Sequence, residues 1–161
     1  MPNITLQTAI KAPVERCFDL SRSIDLHRMS TQHTGEKAIA GVTSGLIGPG
    51  ESVTWRARHF GIWQTLTTQI TDFQQPDFFA DEMVKGAFRS FRHEHHFRQK
   101  DKATTEMIDY FNYQSPLGIL GKLADRLFLK AYMTDLLQQR NRWIKEMAES
   151  GQWTKILNGK E

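Results

Sequence analysis

Between Phe88 and Phe97 the chain reads FRSFRHEHHF, placing His93, His95, His96 and Glu94 among three phenylalanines. Imidazole changes charge near neutral pH and is the commonest nitrogen ligand of metals. A run of this kind is therefore a candidate for proton transfer, metal binding or the anchoring of a ligand. If the run is a strand, side chains alternate between faces. Arg89, Phe91, His93, His95 and Phe97 then share one face, and Ser90, Arg92, Glu94, His96 and Arg98 share the other. The first set carries the aromatic bulk and reads as the inner face.

The same phase can be followed into neighbouring segments. In ESVTWRARHF it turns Val53, Trp55, Ala57 and His59 inward and sends Thr54, Arg56 and Arg58 to solvent. A hairpin closed by Lys100 to Lys102 predicts Phe97 near Thr105, His95 near Met107, His93 near Asp109 and Phe91 near Phe111. His59, His93, His95 and Asp109 would then converge on an interior built from Trp, Phe and Met. Three chemistries suit such a patch. The histidines, with His59 or Asp109, offer nitrogen and oxygen ligands to a metal. A His–Asp pair facing a dry cavity is also suited to acid/base work. The third reading, a satisfied polar network that anchors the polar end of an apolar ligand, is favoured, because buried polar side chains more often complete a network than catalyse. No metal and no other cofactor is expected.

Other motifs are weaker. The loop GVTSGLIGPG, Gly41 to Gly50, lacks the Lys-Ser/Thr that completes a phosphate-binding loop, so its glycines read as turn residues with positive φ. There is no HExxH, no GxSxG elbow and no GxGxxG following a strand. Cys17 is the only cysteine, which excludes an internal disulfide and a cysteine-based zinc site. Its place on a short helix suggests a small buried apolar role.

These residues need elements to position them. NITLQTAI alternates as a half-buried strand. Pro13 opens a short helix through about Leu20, and Ser23 caps a second carrying Ile24, Leu26 and Met29. After a glycine-punctuated loop, ESVTWRARHF, IWQTLTTQITDF, FFADEMV, FRSFRHEHHFR and TTEMIDYFNY read as consecutive strands of an antiparallel meander. The stretch from Gly118 is rich in helix formers and stops at Gly151. Its stripe of Leu120, Leu123, Ala124, Leu127, Phe128 and Ala131 is expected to cover the sheet rather than seek a membrane. QQRNRWIKE reads as a solvated face with Trp143 and Ile144 packed beneath it.

The whole chain of 161 residues fits one domain over 1–150, with 151–161 as a loosely held tail. It is 39% hydrophobic and 24% charged, in the globular range. The net charge of +3 is scattered among acids, which argues against nucleic acid as a partner. MPNITLQTAI lacks the basic segment and apolar run of a signal peptide, and no stretch is long enough to span a bilayer. A cytoplasmic protein without stable membrane insertion is expected.

The element order, with GLIGPGESVTWRARHFGIW, FFADEMVKGAFRSFRHEHHF and TEMIDYFNYQSPLGILGKLADRLFLKAYM, resembles the START, polyketide-cyclase and pollen-allergen superfamily over roughly residues 4 to 149. The resemblance implies an α+β helix-grip fold. A curved seven-stranded antiparallel sheet wraps around a long C-terminal helix, from about Leu117 to Ser150, with two short helices between strands 1 and 2. It also implies a cavity, expected to be lined by Trp55, Leu66, Met83, Phe91, Phe97, Met107, Phe111, Leu120 and Leu127, with His59, His93, His95 and Asp109 as the polar patch. The expected function is to bind an apolar or amphipathic molecule as carrier or sensor. The alternative is a cyclase or dehydratase acting through the His–Asp patch on a polyketide-like or aromatic substrate. Fold kinship alone does not decide between them.

Overall fold

The computed structural model describes residues 2–158. Its strands are β1 (Asn3–Ile10), β2 (Lys37–Gly41), β3 (Ser52–His59), β4 (Ile62–Gln74), β5 (Phe78–Lys85), β6 (Ser90–Gln99) and β7 (Thr105–Gln114). They form one antiparallel sheet in the order β1-β7-β6-β5-β4-β3-β2. Helices α1 (Val14–Ser21) and α2 (Ile24–Ser30) lie between β1 and β2 in the chain. The expected α+β helix-grip architecture is therefore present.

Local sequence explains most of these elements. Pro13 stands at the N-cap of α1, where its fixed φ suits the helix entry. Ser23 accepts a hydrogen bond from Leu26 N and caps α2. β7 throughout, and β6 from Ser90 to Phe97, alternate between buried and half-buried side chains, as two-residue periodicity demands. Gly41, Gly45 and Gly50 adopt φ of 73°, 75° and 74°, so the glycine loop is turn chemistry. At Gly41 a Cβ would come within 2.1 Å of the Ser52 carbonyl oxygen, so only glycine lets β2 run this close to β3. β2 itself carries almost no burial alternation, and the sequence pattern does not reveal it.

The main core gathers Ile10, Cys17, Phe18, Leu26, Trp55, Phe79, Phe97, Met107 and Ile144. Phe18 is fully buried and meets Phe73, Phe79 and Phe97 edge-on at 5.3–5.4 Å. Cys17 is buried, as its apolar role requires.

The terminal helical run departs from expectation. It divides into α3 (Gly118–Ala124), a π-helical turn (Asp125–Leu129) and α4 (Lys130–Glu149). Leu120, Leu123, Leu127 and Phe128 are 68, 54, 68 and 47% exposed, so the stripe expected to cover the sheet does not pack against it. The sheet-facing stripe begins only at Leu137, with Leu137, Arg140, Asn141, Ile144, Met147 and Ala148 buried. Arg140 and Asn141 thus belong to the buried side of α4, not to a solvated face. The physical reason is a cavity, which takes the space that side-chain packing would otherwise fill under α3. Beyond Gly151 the chain forms a further helix, α5 (Trp153–Leu157), instead of trailing loosely. Trp153, Ile156 and Leu157 pack on the main core, and the Arg16 guanidinium lies 4.1 Å from the Trp153 ring centroid. The last part of the expected tail, 159–161, lies outside the described residues.

Candidate functional site

β5, β6 and β7 present a square of four side chains to the interior. Asp81 of β5 stands across from His93 of β6, and His95 of β6 stands across from Asp109 of β7. The hydrogen bonds run both across and along the diagonals. Asp109 Oδ1 takes His95 Nδ1 at 2.8 Å and His93 Nε2 at 3.2 Å, while His95 Nε2 lies 3.2 Å from Asp81 Oδ1. The expected hairpin register is corrected by two residues. Phe97 pairs with Met107, His95 with Asp109, His93 with Phe111 and Phe91 with Tyr113. The connection spans 100–104 rather than stopping at Lys102, with Lys100 N bonded to Thr104 O at 2.9 Å. A shift of two leaves every side chain on its expected face, which is why the inward set survives the error.

α4 completes the cluster from above. Asn141 Nδ2 donates to Asp109 Oδ2 at 2.7 Å, and Arg140 Nη1 lies 3.6 Å from Asp109 Oδ1. Arg140 also donates to the Ser21 carbonyl at 2.8 Å, tying α1 to the same group. Phe79 stacks on His95 with centroids 4.3 Å apart. His96, by contrast, sits on the outer face with its side chain 40% exposed and bonded to Glu94. On that face Arg92 gathers Asp72, Glu82 and Glu94.

Burial sets the electrostatics. It would raise the Asp109 carboxyl, but hydrogen bonds from His93 and His95 outweigh it and hold the group well below the usual carboxylate range. Asp81 is also lowered: burial would raise it, but the hydrogen bond with His95, together with the neighbouring His93, His95 and Arg140, outweighs it. Burial, reinforced by the neighbouring His95 ring, pushes His93 down to about 4 against the pull of Asp109. His93 is therefore a neutral ring in the folded protein at pH 7. Burial lowers Arg140 from its ordinary value, opposed by Asp109 and Asp81.

These groups border a cavity of about 440 Å³. Asp81, His93, His95 and Arg140 line it, while Asp109 stands behind the wall. Its sides are aromatic and aliphatic, with Trp55, Leu66, Phe91 and Phe111 among them, and the exposed Leu117, Leu120, Phe60 and Phe128 mark its mouth. Of the residues expected to line it, Met83, Phe97, Met107 and Leu127 do not. Phe97 and Met107 point inward but are consumed by the main core. Met83 packs in the smaller apolar cluster around Phe91, and Leu127 faces solvent.

His59 lines the cavity apart from the square. Its Nδ1 is hydrogen-bonded to the Tyr132 hydroxyl at 2.7 Å, and burial lowers its pKa. The sequence reading missed Asp81, Arg140 and Asn141. For Asp81 the alternation of FFADEMV carried a usable signal, because Phe79 and Asp81 share a face. Arg140 and Asn141 gave none, since a charged helical segment reads as solvated until its partner is known.

No family model matches the chain, and no curated relative matches it. Solved structures do. The Zhui aromatase/cyclase from Streptomyces sp. R1128 superposes with a TM-score of 0.74 at 12% identity, covering 99% of this chain and 98% of that one. Ginseng major latex-like protein 151 from Panax ginseng gives 0.67 at 16%, covering 92% and 98%. A START superfamily protein from Mycobacterium smegmatis gives 0.68 at 9%, covering 91% and 97%. Among the described residues no helix is long and apolar enough to cross a membrane. The chain thus has the fold that these START-like, latex-like and cyclase proteins share, the fold its sequence resemblance implied.

Proposed function

We propose that the protein binds a small apolar or amphipathic molecule, lipid-like, aromatic or polyketide-like, and acts as its carrier or sensor. The observation that carries this reading is a mainly apolar cavity of about 440 Å³ with Asp81, His93, His95 and Arg140 together on its wall. That combination suits a ligand with an apolar body and one polar head. Trp55, Leu66, Phe91 and Phe111 hold the body. The head meets Asp81 and the neutral His93 as acceptors and Arg140 as donor, so a hydroxyl or carbonyl group is the chemistry that fits. The likeness in fold to a START superfamily protein supports the reading.

Native mass spectrometry of protein purified from its own host tests it: a retained apolar small molecule is expected. An Ala57→Trp variant, which fills the cavity from β3, should remain folded and lose at least about tenfold in affinity for an apolar fluorophore, a shift of about 1.4 kcal/mol. Unchanged binding by that variant would place the ligand elsewhere.

One observation favours a second reading as a cyclase or dehydratase. His93 is oriented by Asp109 and faces the cavity, the arrangement a general base requires, and one structural neighbour is named an aromatase/cyclase. His93→Phe separates the two. A carrier keeps binding with altered affinity, whereas an enzyme loses turnover and still binds.

A further inference from the structure

Asp81, His93 and His95 each offer one ligand atom, and the three atoms lie within 4.8 Å of one another. All three residues line the cavity. Behind them, Asp109 Oδ1 is the common acceptor for His93 Nε2 and His95 Nδ1. A neutral imidazole has one N–H and one lone pair, so with Nε2 donating to Asp109 the His93 lone pair lies on Nδ1. His93 Nδ1 has no partner among the described residues. His95 Nε2 faces the Asp81 carboxylate at 3.2 Å. That contact is closed by a cation lying between the two atoms, either a proton or a metal ion.

We propose that this cluster binds a divalent transition-metal ion, with His93 Nδ1, His95 Nε2 and a carboxylate oxygen of Asp81 as its protein ligands.

Geometry and chemistry agree. Nitrogen and oxygen ligands at roughly 2.0–2.2 Å from a tetrahedral ion lie roughly 3.3–3.6 Å from one another, and the His95–Asp81 separation of 3.2 Å is close to that spacing. Each of the three residues already has a ligand atom within 4.8 Å of the others, so only a small adjustment closes the set. Two imidazoles and one carboxylate suit zinc or ferrous iron and leave coordination positions open. The surrounding shell is of the kind metal-bound histidines need, in which the distal N–H is held by a carboxylate that fixes tautomer and ring orientation. Here one carboxylate serves both rings, and Asn141 and Arg140 in turn hold that carboxylate. Asp109, expected from sequence as a ligand candidate, is the orienting group; Asp81 supplies the oxygen. The open positions face the cavity, where an oxygen of a bound molecule would complete the coordination sphere. The metal site does not depend on the small-molecule reading.

The test uses untagged, full-length protein freed of metal and titrated with Zn(II) against a chromophoric chelator, and with Co(II) by visible absorption. One ion per chain is expected, with a Co(II) spectrum showing nitrogen and oxygen ligation. Asp81→Asn and His95→Gln should each weaken Zn(II) binding by more than about 100-fold, the upper range for loss of an outer-shell partner. Asp109→Asn should weaken it by about 10- to 100-fold, and His96→Gln, on the outer face, should leave it unchanged. Thermal unfolding of the wild type alone gives a readout independent of variant folding: its midpoint should rise with Zn(II) and saturate at one equivalent. Wild-type protein that takes up no Zn(II) or Co(II) and shows no midpoint shift overturns the proposal, leaving a shared proton between His95 and Asp81. Full-affinity binding by a folded Asp81→Asn variant overturns it equally.

Discussion

His95 stands directly across the β6–β7 ladder from Asp109 and is hydrogen-bonded to it through Nδ1 over 2.8 Å, with both side chains almost wholly removed from solvent. The pair joins the sheet to α4, because Asp109 is also bound by Asn141 and faced by Arg140. Asp109→Asn keeps the shape and removes the charge, leaving Arg140 buried without its closest counter-ion. Removing one partner of a buried ion pair costs about 3–5 kcal/mol. Urea denaturation should show a loss of that order, and a loss below about 1 kcal/mol, the scale of an ordinary hydrogen bond, would mean that the cluster does not act as a unit.

Leu120 and Leu127 are equally exposed, but only Leu120 lines the cavity. Leu120→Ser and Leu127→Ser should each change stability by no more than about 0.5 kcal/mol, as surface substitutions do. Leu120→Ser alone should weaken binding of an apolar fluorophore, measured by fluorescence titration. Equal effects of the two on binding would contradict the cavity mouth described above.

His59 and Tyr132 make one half-buried hydrogen bond between β3 and α4. His59→Phe should cost about 1 kcal/mol, the net worth of such a bond, and leave the Asp109 cluster undisturbed. In a double-mutant cycle with Asp109→Asn, the two losses should add within about 0.5 kcal/mol. A larger coupling energy would show that His59 belongs to the cluster after all.

Burial pushes the Cys17 thiol up to about 11, from the 9.0 of an unperturbed group. The folded protein holds this proton more tightly than the unfolded chain does, so between those two values the native state binds more protons. Stability from this group is therefore complete below pH 9 and is lost as pH rises toward 11, by about 3 kcal/mol at most. Denaturation midpoints from pH 8 to 10.5 should fall more steeply for wild type than for Cys17→Ala. Parallel pH profiles would refute the shift. Native-state alkylation at pH 8 should be slow for the same reason, since only the thiolate reacts.

The face each strand residue occupies was legible in the sequence, because side-chain direction depends only on a two-residue period. His93, His95 and Asp109 could be assigned to the interior, and His96 to the outside, without knowing any partner strand. Short helices were legible through Pro13 and Ser23, whose backbone preferences act locally. Register was a different matter: it depended on how the chain closes through 100–104, and a two-residue error there moved every cross-strand partner while preserving every face. Strand β2 was invisible because its side chains are mostly exposed and carry no alternation. Only tertiary structure decided which inward residues meet a cavity and which meet the core: Phe91 and Phe97 share a face and a strand, yet Phe97 is covered by Phe18 and Phe91 borders open space. It also turned Arg140 and Asn141 inward, against every local preference for charge in water. The reason is that a buried carboxylate on β7 compensates them, and a helix cannot record in its own periodicity the charge carried by a strand thirty residues away.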